Sequence, residues 1–389
     1  MFDFTTEVSR RDMGSLKMMM APQILKDQGI LTFMAGEMDF ATAPALTNAV
    51  IECAKNGLFS FTLPDDNYYK HVTWWMKKAR SWEVEPDWIV TAYGTIMSVA
   101  TCIRAFVGPG ENIIVQPPFY DRYKQAADRL NRGTVYNPLI RVGDTYEMDF
   151  AGLEELMQDK RNRLLVLCNP LNPSGKVFKK ADLEKVAALS AKYGVYVFSD
   201  EIFSEILLEG DPVTPYASIE AGRKYAITAT SLGKAFNLTG VNHANIIIPD
   251  DDLREAFRDR RTRDHYGSID PAAYAATIGA YSEEGYEWLL AMTEVIRENS
   301  RIVHEAFENY MQQFSVLKNE ASFVCWMDFN ATGLKGDALS DLLLNKALFH
   351  INEGSEYGPG CGGYARMNLG STKHQTEWAM DRMIRAFGK

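Results

Sequence analysis

Leu164-Leu165-Val166-Leu167-Cys168-Asn169-Pro170-Leu171-Asn172-Pro173-Ser174-Gly175 is the stretch on which the reading of the fold turns. Five consecutive apolar residues run into a turn of Asn, Pro and Gly, the pattern of a strand covered on both faces. The same grammar repeats outward in both directions. Short apolar runs fall at Trp88–Tyr93, Asn112–Gln116, Val195–Ser199, Tyr225–Thr230 and Ala244–Ile248. Helical spacing fills the gaps at Thr95–Phe106, Tyr120–Arg129, Phe150–Met157 and Lys180–Tyr193. Buried strands alternating with helices predict an α/β fold whose sheet is largely parallel and carries helices on both faces.

Beyond about residue 270 the texture changes. Ala272–Tyr281 and a long amphipathic stretch, Tyr286–Gln313, read as helices. An α+β tail follows, with strands at Phe323–Phe329 and Tyr364–Asn368 and helices at Ala338–Leu348 and Thr376–Phe387. The expected organisation is a large domain over 41–275 and a smaller C-terminal α+β domain over 276–389, joined by an N-terminal segment, 1–40. A helix is expected over 40–56, capped by Asp39 or Thr42 and stopped at Gly57. Gly108-Pro109-Gly110 is a plain turn, because no G-K-[ST] follows it.

Composition excludes more than it names. With 41 Lys+Arg against 51 Asp+Glu the formal charge of the 389-residue chain is −10, which argues against nucleic-acid binding through the phosphate backbone. No apolar run reaches the ~18–20 residues of a membrane span, and the polar, acidic start does not resemble a signal peptide. The five cysteines are scattered without a C-x-x-C pair, so a reduced, cytoplasmic setting is expected. The six histidines show no metal-binding spacing, and no metal site is expected.

In a doubly wound sheet the chemistry gathers at the carboxyl ends of the strands. Reading just past each strand gives Tyr93-Gly94-Thr95-Ile96, Asn169 to Gly175, Ser199-Asp200-Glu201 and Ser231-Leu232-Gly233-Lys234. Singly, each has an ordinary explanation: an Asp after a strand is usually a cap or turn residue, and a Lys after Gly is usually solvated. Together they place a carboxylate, a lysine, an amide and a small-residue turn at one end of one sheet.

That ordered set, with Phe2-Asp3-Phe4, Arg10-Arg11, Gly36-Glu37-Met38-Asp39-Phe40, Phe59-Ser60-Phe61-Thr62, Pro117-Pro118-Phe119-Tyr120-Asp121, Lys234-Ala235-Phe236-Asn237 and Gly363-Tyr364-Ala365-Arg366-Met367-Asn368, resembles the fold-type I pyridoxal-phosphate enzymes of the class I/II aminotransferase superfamily. Within it, the chain looks most like the bacterial cystathionine β-lyase (C–S lyase) branch. The resemblance runs nearly end to end. It implies an aspartate-aminotransferase-like fold with a mostly parallel seven-stranded sheet, pyridoxal 5′-phosphate as cofactor, and a homodimer with active sites at the subunit boundary.

The resemblance also implies roles. Lys234 would hold the cofactor covalently and act as the catalytic base. Asp200 would pair with the ring nitrogen, Asn172 would donate to the ring's O3′ and Tyr120 would stack on the ring face. The backbone N–H groups of Gly94, Thr95 and Ile96, at a helix N-terminus, and the Ser231 hydroxyl would take the phosphate. Arg366 would grip the α-carboxylate of an L-amino-acid substrate through a bidentate pair, and Gly36 would border that substrate. Phe61 stands where an aromatic residue reaches the neighbouring subunit's phosphate.

Four positions depart from the family pattern. Asn242 replaces an Arg that often grips the phosphate, as also happens in the C–S lyase branch. Phe203 replaces a Tyr or His that donates to O3′. Phe61 replaces a Tyr, so it packs but cannot donate, and Gly36-Glu37 replaces Ala-Asp. The implied reaction is β-elimination of a thiol from cystathionine or a related cysteine conjugate, releasing pyruvate and ammonia. The alternatives are transfer of the amino group to a 2-oxo acid by the same residues and, in a different class, a binding or regulatory protein on this fold. A dicarboxylate transaminase would want a second cation, for which Arg10 and Lys17 are candidates. Three further features read as ordinary: Arg254–Arg263 as a solvated helix face with paired charges, Met18-Met19-Met20 as packing or a pocket wall, and Trp74-Trp75 as core or a subunit contact.

Overall fold

The computed structural model describes residues 2–10, 12–30 and 32–388; Arg11 of the Arg10-Arg11 pair lies outside them. Seven strands form the main sheet in the order Ile89–Ala92, Ala244–Ile247, Ala226–Thr230, Tyr196–Asp200, Asn162–Cys168, Asn112–Val115 and Gly133–Tyr136. Ala244–Ile247 runs antiparallel to both neighbours, and the remaining pairings are parallel. The apolar runs become strands because each is covered on both faces: every residue of Ile89–Ala92, Ala226–Thr230 and Ala244–Ile247 is buried.

Helices Thr95–Phe106 and Lys180–Tyr193 have the bounds read from spacing. The helix expected over 40–56 begins later, at Pro44–Lys55, with Ala43 rather than Asp39 or Thr42 at its cap. Both expected caps are engaged elsewhere. Thr42 donates to the Phe236 carbonyl, and Asp39 accepts from Lys17 and Arg10. Pro at the first helical position supplies the start instead, since its fixed φ suits a helix and its missing N–H would have had no partner there.

Among the elements that escaped the sequence pattern, two bear on the core. Gly133–Tyr136 is a half-buried edge strand with no continuous apolar run. Helix Asp66–Arg80 is capped by the Asp65 carboxylate and buries Tyr68, Val72, Trp75 and Met76. Trp75 belongs to the core, where it stacks on Tyr281 with centroids 4.6 Å apart. Burial of such a side chain contributes about 3 kcal/mol. Beneath it, Arg80 and Glu201 form a buried ion pair.

A second, fully antiparallel sheet runs in the order Ser315–Val316, Val324–Asp328, Tyr364–Asn368 and Asn352–Glu353. Helices Glu283–Tyr310, Asp337–Ala347 and Lys373–Phe387 belong to the same part of the chain. The N-terminal segment is tied to it by backbone bonds: Phe33 N–H donates to His350, Asn368 N–H to Phe33, and Asp39 N–H to Gly370. The run at 254–263 lies on helix Asp251–Arg263 and is not wholly solvated. Arg254 is buried against the Ile248 and Pro249 carbonyls, and Arg261 donates to the Thr91 carbonyl at 2.7 Å. Among the described residues no helix is long and apolar enough to cross a membrane.

Candidate active site

Parallel pairing aligns the strand ends, so the residues that follow them share one edge. Cys168 and Asp200 are direct neighbours across the sheet. Past Cys168 the chain turns through Asn172, whose N–H approaches the Cys168 sulfur at 3.4 Å. Asp200 is buried, and its Oδ2 accepts from the Tyr123 hydroxyl at 2.5 Å while Oδ1 accepts from the Ile202 N–H at 3.3 Å. Burial raises its pKa to about 6, against the lowering effect of the Tyr123 and Ile202 bonds and the Lys234 charge.

Lys234 sits on the short helix Leu232–Ala235, capped by Ser231. Its amine donates to the Gly36 carbonyl at 2.7 Å and approaches the Thr239 hydroxyl at 3.5 Å. Among the described residues no carboxylate pairs with it directly. Desolvation and then the positive Arg366 lower its pKa to about 8, opposed by Asp200 and Glu37. Gly36 leaves this place to the amine: a Cβ would stand 2.7 Å from it, so Lys234 would have to move.

Arg366 enters from the second sheet and is buried. One Nη donates to Asn172 Oδ1 at 3.0 Å and the other to Asn352 Oδ1 at 2.7 Å, while Nε has no partner. The contact with Arg366 takes the acceptor of Asn172 and leaves its amide N–H₂ as the donor the residue can offer. The loop 35–37 that carries Gly36 holds Ala35 at φ 65°. Asn368 Nδ2 braces it by donating to the carbonyls of Ala35 and Glu37, at 3.0 and 2.7 Å. Tyr120 is half-buried and meets Tyr123 edge-on at 5.7 Å, one ring away from Asp200.

On the other side, helix Thr95–Phe106 starts at Gly94, whose φ of +84° favours glycine. The first-turn N–H groups have no intrahelical acceptor. Ser231 behaves differently from expectation. Its hydroxyl donates to the His243 carbonyl at 2.7 Å and accepts from the Gly233 N–H at 3.0 Å, so its one proton is already engaged. Exposed Asn242 lines a cavity of about 460 Å³ with Tyr93, Met97, Asp264, His265 and Tyr266. Phe203 packs edge-on against Phe323 at 5.3 Å, with the Lys234 amine 5.9 Å from its ring. Phe61 is not brought to this cleft. It is fully exposed on the 58–63 strap, which bridges to Ile269 through Thr62.

A family model described as aminotransferase class I and II matches residues 28–383. The chain belongs to this family. Within it, the chain is 33% identical to cystathionine beta-lyase PatB of Bacillus subtilis, over 87% of this chain and 88% of the relative. It is 25% identical to protein MalY of Escherichia coli, over 99% of both chains. The fold matches the crystal structure of cystalysin from Treponema denticola, which contains pyridoxal 5′-phosphate. The TM-score is 0.93 at 30% identity, covering 99% of this chain and 98% of that one.

Tyr123, Asn352 and Thr239 stand outside the family motifs, and Asn368 lies within one but without an assigned role. The sequence signal for Tyr123 is its place three residues after Tyr120, although the helix itself begins only at Arg122. The rest act through backbone and side-chain contacts between residues up to 333 positions apart.

Proposed function

We propose that this protein is a pyridoxal 5′-phosphate-dependent C–S β-lyase that cleaves L-cystathionine or a related cysteine conjugate, with transamination as the secondary reading. The pyridoxal-phosphate part is carried by the Lys234 amine, held on the Gly36 carbonyl with its pKa brought down to about 8 by burial and the Arg366 charge, and the lyase branch by the 33% identity to PatB. The cofactor fits the residues present. Asp200 is a buried carboxylate suited to a cationic ring nitrogen, and the orphaned Nε of Arg366 awaits an acceptor. When bound, pyridoxal phosphate supplies an electron sink for the carbon being deprotonated.

Lys234 holds the cofactor and is the base that takes the Cα proton; a pKa near 8 leaves an appreciable neutral fraction at physiological pH. Arg366 fixes the α-carboxylate and thereby aims the Cα–H at that amine. Asp200 would pair with the ring nitrogen, Asn172 would donate to O3′, Tyr120 would stack on the ring, and the N–H groups of Gly94, Thr95 and Ile96 would take the phosphate. Ser231 joins them by turning its hydroxyl from His243. The net reaction consumes water and one cystathionine and yields a thiol, pyruvate and ammonia. The names of PatB and cystalysin's bound cofactor support this reading.

A homodimer completes the site in this proposal. Leu58, Phe59, Phe61 and Leu63 are all more than 65% exposed, an apolar strap suited to a second copy. The large domain at 41–275, the small domain at 276–389 and the 1–40 segment joined to it are the working division. A cytoplasmic setting is part of this proposal, and five cysteines without a C-x-x-C pair support it.

Purified protein supplied with L-cystathionine should release pyruvate and free thiol. A parallel reaction offering an amino acid and a 2-oxo acid should show little amino transfer. Amino transfer without thiol release would overturn the lyase reading. Lys234→Ala should remove the visible absorbance of the cofactor-linked protein; survival of that band would overturn the site assignment.

A further inference from the structure

Tyr123 has no role in the function set out above, yet its hydroxyl makes the shortest contact to the buried Asp200 carboxylate, at 2.5 Å. We propose that Tyr123 is a positioning residue that keeps Asp200 ionised for a cationic ring nitrogen, so that cofactor affinity survives mild acid. This rests on the reading of the protein as a pyridoxal-phosphate enzyme.

The Tyr123 hydroxyl lies within hydrogen-bonding reach of both Asp200 Oδ2 and the Cys168 sulfur, and Asp200 is the charged acceptor of the two. Tyr123 is 1% exposed, and its own ionisation is pushed far up by burial and by the Asp200 charge. Its proton therefore stays in place and points at Oδ2. Oδ1 has a longer bond from the Ile202 N–H, at 3.3 Å. The charged and titratable groups facing Asp200 are few. They are Tyr123 from helix Arg122–Arg129, Cys168 from the neighbouring strand, Lys234 from the short helix, and Glu201 beside it. Glu201 opposes ionisation but is held by Arg80, and the Cys168 thiol, pushed up to about 12, remains neutral.

The side chain at 203 sharpens the point. Phe203 offers no hydrogen bond to the cofactor's ring, so the adjustable contacts are those made by Asn172 and by Asp200. Tyr123 is the only side chain hydrogen-bonded to Asp200 among the described residues. One O–H donated to a carboxylate lowers its pKa by about one unit. Removing it moves Asp200 ionisation from about 6 toward neutrality.

The test titrates cofactor-free wild type and Tyr123→Phe with pyridoxal phosphate from pH 5.5 to 8.5, reading the dissociation constant by fluorescence. Titrations of free cofactor and of Lys234 are common to both proteins and cancel in the ratio. At pH 8.5 Asp200 is ionised in both, and the two constants should agree within about twofold. As the pH falls the variant should weaken first, by about eightfold at pH 5.5 for a one-unit shift. In an Asp200→Asn background the Tyr123→Phe change should lose this pH dependence. A ratio constant across the range would mean that Tyr123 merely packs, and would overturn the proposal. A wild type that binds no pyridoxal phosphate at any pH would instead sink the functional reading on which it rests.

Discussion

Gly36→Ala isolates the position of the reactive amine from the rest of the site. A Cβ built at residue 36 lies 2.7 Å from Lys234 Nζ and 3.6 Å from Cε, and ordinary contact begins at 3.4 Å. The amine must therefore retreat by about 0.7 Å and loosen its 2.7 Å bond to the Gly36 carbonyl. The obstructing atom is the far end of a flexible side chain, so stability should change by less than about 1 kcal/mol. Misplacement of a reacting group on this scale costs about 10²-fold, or about 2.7 kcal/mol in the barrier. The assay is kcat/KM for L-cystathionine from released pyruvate and thiol, beside a melting curve that should hold within about 3 °C. Activity within threefold of wild type would refute the argument that this amine works where the structure puts it.

Three further outcomes follow from the same geometry. Arg366→Lys keeps the charge but cannot keep both bonds, to Asn172 and Asn352; kcat/KM should fall about 10²–10³-fold, and a loss under tenfold in substrate kinetics would show that the fork does not hold the carboxylate. Buried His243 has its pKa lowered to about 4 by desolvation, so the unfolded chain binds its proton first. Stability should rise with pH between about 4 and 6.5, by up to about 3 kcal/mol, and denaturant titrations of His243→Gln should show a flatter slope. Phe61→Glu should leave the monomer's melting behaviour intact and halve the sedimenting mass if a second copy covers the strap; an unchanged mass would remove Phe61 from the interface.

What the sequence made legible depended on how local the cause was. Strands such as Ala226–Thr230 are buried on both faces, and continuous apolar runs announce them. Helix Thr95–Phe106 lies between a positive-φ glycine and an extended Val107, so its ends are set within a few residues. Gly133–Tyr136 was illegible because an edge strand needs no continuous apolar run. Asn352–Glu353 and Ser315–Val316 are two residues each and exist only through their partners. In the site, Lys234, Asp200, Asn172 and Arg366 were visible as ordered motifs. Asn368 and Asn352 brace a loop about 300 residues away, which no periodicity records. Asp39 reads locally as a helix cap, but two distant cations claim its carboxylate.

Those cations bear on the choice of substrate. Arg10 and Lys17 are the cations available beside Glu37, and a dicarboxylate substrate would need one of them for its second acid group. Both are committed. Lys17 is 2% exposed and lies 2.8 Å from Asp39, itself buried, and Arg10 reaches the same carboxylate at 3.1 Å while also approaching Glu37. Pulling Lys17 away would break its buried pair with Asp39 and leave that carboxylate to Arg10 alone, a cost of up to about 3–5 kcal/mol. That exceeds the ~1.5–3 kcal/mol a new charged hydrogen bond returns. Half-buried Glu37 adds repulsion. A monocarboxylate thioether imposes no such demand, and the distal carboxylate of cystathionine is offset by the ammonium on the same carbon. L-aspartate should therefore inhibit cystathionine cleavage at least tenfold more weakly than S-methyl-L-cysteine, which carries one carboxylate and lacks the second. Asp39→Asn, which loosens both cations, should narrow that gap. Tight competition by aspartate in the wild type would mean that one of the two cations is free after all, and would move the balance toward a transaminase.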